Sequence, residues 1–145
     1  MKRIALTCLA LAIATGCGPI VMIPGGALSG DVKPTPGDWS FSDEVETVQL
    51  ETNPDDPYSV NVWGIASGAH FYVAAGDKTN EWAENLRKDS RARLRIGDDV
   101  FELEAIEVTD DAELDTFVKA AQMKYDFEPD PEQRAKAALF RLGPR

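Results

Sequence analysis

The chain has 145 residues and carries 15 Lys and Arg against 25 Asp and Glu, a formal net charge of −10. That length suits one domain with a single core. The acidity argues against a nucleic-acid partner and against adhesion to anionic lipid through a basic surface, and reads most simply as solubility. One histidine cannot build a His-cluster metal site.

The first stretch is an address. Met1-Lys2-Arg3 is basic, and Ile4 to Ala14 is apolar apart from Thr7 but too short to span a bilayer. Ala14-Thr15-Gly16-Cys17 follows. Basic, apolar, then small residues is the secretory signal pattern. A cysteine directly after the small residues resembles the bacterial lipoprotein signal. That resemblance implies loss of residues 1–16 and a lipid on Cys17, which becomes the mature N-terminus. Gly18, where inner-membrane lipoproteins tend to carry Asp, implies an outer-membrane address facing the periplasm in a Gram-negative host. One acyl chain binds a membrane marginally; two or more anchor it. The bland reading is an ordinary cleaved signal followed by a chance cysteine. With Cys8 in the discarded segment, the lipidated chain has no free thiol for a disulfide, metal or nucleophile. Its 129 residues then hold 13 basic against 25 acidic side chains, a balance of −12.

Residues 17–37 read as a lipidated tether, with Pro19, Pro24, Pro34 and Pro36 among five glycines. Ala27 to Val32 could add a short edge strand. The domain is expected over 38–145. Asp38-Trp39-Ser40-Phe41 seals one end of the core. Val45 to Thr52 is a strand by its period-two Val48 and Leu50, and Asn53 to Pro57 is a rigid acidic turn. Tyr58–Ile65 and Ala69–Ala75 form the next hairpin. A turn at Ser67-Gly68 sets Val62 against Val73 and Gly64 against Phe71. The other face then gathers Asn61, Trp63, Ile65, His70 and Tyr72, with Trp63 across from Tyr72. So aromatic a face is either buried by the rest of the chain, as under a helix, or binds a ligand.

Asn80 to Lys88 is a short helix capped by Thr79 or Asn80, with Trp82 and Leu86 inward at i, i+4. Next, Arg91, Arg93 and Arg95 alternate with Ala92, Leu94 and Ile96 up to Gly97-Asp98. Gly first in a two-residue turn suits type II′. The fold-back sets Leu94 on Phe101, Ala92 on Leu103, Arg93 on Glu102 and Arg91 on Glu104, matches that a one-residue slip would destroy. Apolar positions 101, 103 and 105 then change phase to 106 and 108, which predicts a bulge near Ala105-Ile106. Asp110 opens a helix with Glu113 as capping box and Leu114, Phe117, Val118, Ala121 and Tyr125 as its apolar stripe. Glu132 to Lys136 is at most one helical turn, and Ala137 to Leu142 is a closing strand. The fold class is mainly β with two helices.

From Phe71 onward, order and spacing resemble the flavin and deazaflavin split-barrel superfamily, which includes pyridoxamine-phosphate oxidases and deazaflavin nitroreductases. The likeness runs through Phe71 to Ala75, Trp82 to Arg87, the Arg91–Val108 hairpin ending in Thr109-Asp110, and the closing Leu139 to Arg145. It implies a small antiparallel split β-barrel of the FMN-binding type and a cofactor, FMN or a deazaflavin, near the Gly76–Asn80 loop. It also implies a homodimer whose subunits share the cofactor cleft. The deazaflavin enzymes hold phosphate with a Gly/Arg-rich segment; here that place is Asn53-Pro54-Asp55-Asp56-Pro57, whose carboxylates repel phosphate.

The candidate ligand-contacting residues are Asn61, Trp63, His70, Tyr72, Lys78, Thr79, Asn80 and Trp82. Lys78, the Thr79 hydroxyl and free amides at a helix N-terminus can hold an anion; the plain alternative is an ordinary capped helix start. No nucleophile elbow, Walker loop, zinc-protease helix or dinucleotide fingerprint is present, so no catalytic or metal-ligating residue is assigned. The expected function is a binding or envelope-assembly module with weak or no cofactor binding, open to a small-molecule ligand. The alternative is a flavin- or deazaflavin-dependent oxidoreductase, in which the cofactor carries the hydride chemistry.

Overall fold

The computed structural model describes residues 23–145; the signal and Cys17 lie outside them. Seven strands and three helices follow in order. They are β1 (Asp31–Lys33), β2 (Thr47–Thr52), β3 (Tyr58–Ser67), β4 (His70–Ala75), α1 (Glu81–Lys88), β5 (Arg91–Ile96), β6 (Asp99–Glu107), α2 (Asp111–Tyr125), α3 (Pro131–Lys136) and β7 (Ala138–Pro144). The strand order is β1-β6-β5-β2-β3-β4-β7, and a further β6–β7 pairing closes β2 to β7 into a six-stranded antiparallel barrel. The third helix exceeds the two expected. Asp130 and Gln133 cap it reciprocally after a proline at its start, enough to hold six residues helical.

The β5–β6 hairpin has the register read from the sequence: Leu94 opposes Phe101, Ala92 opposes Leu103, Arg93 opposes Glu102 and Arg91 opposes Glu104. Gly97 holds φ +61° in the turn, as type II′ requires. The charges pair differently from the expectation. Arg93 binds Glu51 of β2, and Arg91 binds Asp89 in the preceding loop. A cross-strand neighbour sets only proximity, and both guanidinium groups have closer carboxylates off the hairpin.

The β3–β4 turn falls one residue later than expected, at Gly68-Ala69, so Ser67 opposes His70, Ile65 opposes Tyr72 and Gly64 opposes Val73. Gly68, at φ +60°, takes the first turn position, where a left-handed backbone is needed. The shift moves each partner by two residues, so the faces stand: Val62, Phe71 and Val73 line the core, and Trp63, Ile65 and Tyr72 the outside. Gly64 is required because a Cβ there would meet the Phe71 ring, 2.7 Å from Cε1, and the Val48 side chain at 3.1 Å. Phe71 is fully buried and cannot yield. Gly64→Ala is expected to cost about 1–3 kcal/mol by overpacking; a thermal midpoint equal to that of the parent would refute this close approach.

No bulge interrupts β6. Its pairing with β7 runs unbroken from Leu103–Pro144 to Glu107–Phe140. Of the two apolar residues that change phase, Val108 packs with Tyr72 and Leu139 beneath Leu114 and Phe117 of α2, whereas Ile106 stays 55% exposed. Inside the barrel, Trp39 plugs one end, its ring centroid 5.1 Å from Phe71 and 5.0 Å from Phe101, while Trp82 and Leu86 of α1 join the same core.

The stretch read as tether is, from Ile23 on, laid along the barrel. Gly25 and Ser59 exchange both backbone hydrogen bonds at 2.8 Å, and the Ser59 hydroxyl donates to Gly26 O. Leu28 is buried; its N–H donates to Glu51 Oε2 at 2.6 Å and its carbonyl accepts from Arg93 Nη1 at 2.8 Å. β1, overlapping the 27–32 stretch flagged for an edge strand and running one residue past it, then pairs in parallel with β6.

Candidate functional site

The outer face of β3, β4 and β7 is covered by α2 of the same chain, which buries Ile65 and Tyr72. Both ends of α2 are clamped. At its start Asp110 accepts from Glu113 N–H at 2.9 Å. The Glu113 carboxylate does not complete a capping box; it accepts from the Tyr72 hydroxyl at 2.8 Å and from Arg141 Nη1 at 2.6 Å. Burial, followed by the Glu113 carboxylate, pushes the Tyr72 phenol up to about 12, which keeps it a donor at neutral pH. At the other end Lys124 Nζ donates to Gly64 O at 2.7 Å and to Ser42 O at 3.1 Å. The Tyr125 hydroxyl donates to Glu46 O at 2.7 Å and accepts from Gly64 N–H at 3.2 Å. Burial lowers the Lys124 ammonium from its ordinary value.

The C-terminal end of α2 and the residue beyond its cap deliver aromatic rings to β3. Tyr125 stacks on Trp63 at 4.5 Å with an 8° interplanar angle, and Phe127 meets Trp63 edge-on at 5.8 Å. Trp63 nevertheless stays 49% exposed. Beside it opens a cleft of about 280 Å³, walled by Trp63, Trp82, Phe117 and Phe127, with the Asn61 and Asn80 side chains among its polar groups. A second cleft of about 260 Å³ continues outward past the same Asn61, Asn80 and Trp82 to Ile23, Pro24, Tyr58 and Val60. Among the described residues, no ionisable side chain lines the inner cleft, and Glu81 is the one carboxylate lining the outer. Flat apolar walls with two amides suit a neutral ring stacked between aromatics.

Of the sequence candidates, Asn61, Trp63, Asn80 and Trp82 meet in these clefts. Tyr72 is part of the α2 clamp, and exposed His70 lies beside it, ring centroids 6.2 Å apart. Lys78 and Thr79 line neither cleft. The Thr79 amide and hydroxyl both donate to Asp77 Oδ1, at 2.8 and 2.7 Å. Those two bonds hold the Asp77 carboxyl below its ordinary value. The loop's own carboxylate therefore takes the donors that an incoming anion would need. Asn80 occupies the cap position of α1 but makes no side-chain capping bond. The sequence reading missed Phe127, Ile23, Pro24 and Tyr58 as wall residues, and Phe117 was read only as core stripe. Phe127 had a signal: an apolar residue just beyond a helix end commonly packs back on the last turn. Ile23 and Pro24 had none, because Pro and Gly there read as tether.

No family model and no curated protein matches the sequence. Solved structures do match. A conserved hypothetical protein of Mycobacterium tuberculosis is 21% identical with a TM-score of 0.59, over 73% of this chain and 77% of that one. A candidate pyridoxamine 5′-phosphate oxidase of Listeria innocua is 13% identical with a TM-score of 0.59, over 73% and 89%. An F420-H2 dependent reductase is 19% identical with a TM-score of 0.56, over 68% and 95%. The fold is a split β-barrel. At these identities the likeness is one of fold alone.

Whether this split barrel suits a phosphate-bearing cofactor is decided by its side chains. Neither cleft is lined by a cation, Glu81 faces the outer one, and Asp77 occupies the donors before α1. The Asn53–Pro57 turn is closed by its own bonds, Asn53 Nδ2 donating to Asp56 O and Asp56 N–H to Asn53 O. Carboxylates here oppose a phosphate. The walls fit a ring but do not fit a phosphate, so no step is routed through a flavin. Among the described residues no cluster of His, Cys, Asp and Glu could hold a metal, and no helix is long and apolar enough to cross a membrane.

Proposed function

We propose that this chain is a lipid-anchored envelope protein whose split barrel binds a flat, uncharged small molecule between β3, α1 and α2. The observation that carries the reading is the inner cleft: aromatic walls, two amides and no ionisable lining residue. Such a site can bind and orient but offers no general acid or base, which favours a binding module. Binding of a neutral aromatic ring is expected to quench tryptophan emission, and Trp63→Ala to weaken it about tenfold, the loss of one stacking wall. Equal affinity in the variant would remove the cleft from the reading.

The lipid anchor rests on the Ala14-Thr15-Gly16-Cys17 pattern, with the outer membrane facing the periplasm as the address in a Gram-negative host. Cys17→Ser is expected to release the protein from membranes; retention after a high-salt wash would mean that lipid is not the anchor. A homodimer belongs to the same proposal, with a second copy walling the exposed side of Trp63.

The second reading, a flavin- or deazaflavin-dependent oxidoreductase, is supported by the fold shared with an F420-H2 dependent reductase. An absorbance band at about 400–450 nm in the purified protein, where an oxidised flavin-type cofactor absorbs, would favour it over the binding module.

A further inference from the structure

We infer that the cleft draws its ligand from the bilayer: an uncharged flat ring carrying an aliphatic tail. This rests on the anchored, ring-binding reading above and adds where the ligand comes from and what hangs from it.

The first observation is the length of free tether. Read as sequence, the chain from Cys17 to Gly37 could hold the barrel far from the membrane. In the fold, the Gly25–Ser59 bonds, the Leu28 peptide held between Glu51 and Arg93, and the β1–β6 pairing fix everything from Gly25 on. Only the six residue steps from Cys17 to Ile23 precede the described barrel surface, and even fully extended they reach about 20 Å. Whatever lies at Ile23 therefore stays within about 20 Å of the lipidated Cys17.

The second observation is what lies at Ile23. That residue, 67% exposed, and Pro24 line the outer cleft with Tyr58 and Val60. The outer cleft shares Asn61, Asn80 and Trp82 with the inner one. The two therefore form one groove whose mouth is at the anchored end and whose far part is aromatic. A ring would sit against Trp63 and Phe127 while its tail ran past Val60 and Pro24 toward Ile23. The third observation is charge. Glu81 in the outer cleft opposes an anionic headgroup, and the acidity of the chain opposes anionic lipid generally. The fitting ligand is a neutral amphiphile dissolved in the hydrocarbon layer.

The test reconstitutes the lipidated chain in phosphatidylcholine vesicles and measures energy transfer from tryptophan to a decyl-tailed pyrene, a neutral ring with a tail. Tail-free pyrene and FMN are the comparison probes. The tailed probe should bind about tenfold tighter than tail-free pyrene, because the tail buries apolar surface in the outer cleft. FMN should not compete. Ile23→Asp, at a position 67% exposed, should lose most of that tail advantage. A Gly-Ser insertion of about twelve residues after Gly18 should weaken capture of the vesicle-borne probe by about fivefold through a lower effective concentration. Displacement of the tailed probe by FMN would overturn the ligand class and leave the cleft. Equal affinity for tailed and tail-free probes, or no effect of either Ile23→Asp or the insertion, would overturn the membrane source. If no probe reaches the tryptophans, the cleft reading falls and this inference with it.

Discussion

Replacing Glu51 by alanine is expected to cost the fold about 3 kcal/mol, the lower end of the range for removing one partner of a buried ion pair. The residue is 4% exposed, near the end of β2. Its Oε2 accepts from Leu28 N–H at 2.6 Å and from Arg93 Nη1 at 3.1 Å. Alanine leaves a guanidinium and a peptide N–H without their shared acceptor. The Arg93 side chain keeps 23% exposure, so water screens part of the loss, which places the figure at the lower end. Glu51→Gln keeps an acceptor and should cost less. The effect should also be local. Hydrogen exchange at the Leu28 amide should accelerate in the alanine variant well before global unfolding, because the Ile23–Lys33 strip loses a fastening. A denaturation midpoint within error of the parent, with Leu28 still protected, would show that the pair does not hold the strip.

Leu94→Ala carries the second large expectation, about 3–4 kcal/mol within the range for buried Leu-to-Ala changes. Leu94 is fully buried at the middle of β5, opposite Leu50 of β2 and Phe101 of β6. Both neighbours are themselves packed in the same core, so the void closes only in part. The next residue pointing to the opposite face, Arg95, pairs with the exposed Asp98, and Arg95→Ala should cost only about 0–1 kcal/mol. Arg93→Ala falls between them, because its carboxylate partner is buried on β2 and not exposed on the hairpin. Urea denaturation orders the three. Equal costs at 94 and 95 would mean that the two faces of β5 are not core and surface.

The hairpin was legible because its information is local. Alternation of Arg with apolar residues, a Gly turn and a matching Phe101–Leu103 run specify the register within a short window. The β3–β4 faces were legible for the same reason, since a period-two pattern survives a turn displaced by one residue. The turn itself was not, because Ser67, Gly68 and Ala69 all tolerate a tight turn and only the closed sheet decides among them. Arg93 found Glu51 rather than Glu102, and no spacing rule reaches across that separation. The phase change after Ala105 is no bulge: Val108 is covered once α2 lies over it, while Ile106 stays exposed. Trp63, Asn61, Asn80 and Trp82 line the clefts because β3 and the start of α1 lie side by side. Lys78 and Thr79 line neither cleft, and Asp77 takes the Thr79 donors.

The way the barrel closes bears on how fast it can fold. Its final seams join Phe71 to Leu142 and Asp31 to Asp99, and β2 must wait for β5 before either sheet edge is satisfied. Pairings this distant in sequence lose loop entropy before they gain contacts and put folding in the millisecond-to-second range. The β3–β4 and β5–β6 hairpins can form early, but neither is stable alone. Under the lipoprotein signal proposed above, such a chain would have to stay unfolded until threaded across the membrane, and a topology that cannot close until Leu142 has emerged is compatible with that proposal.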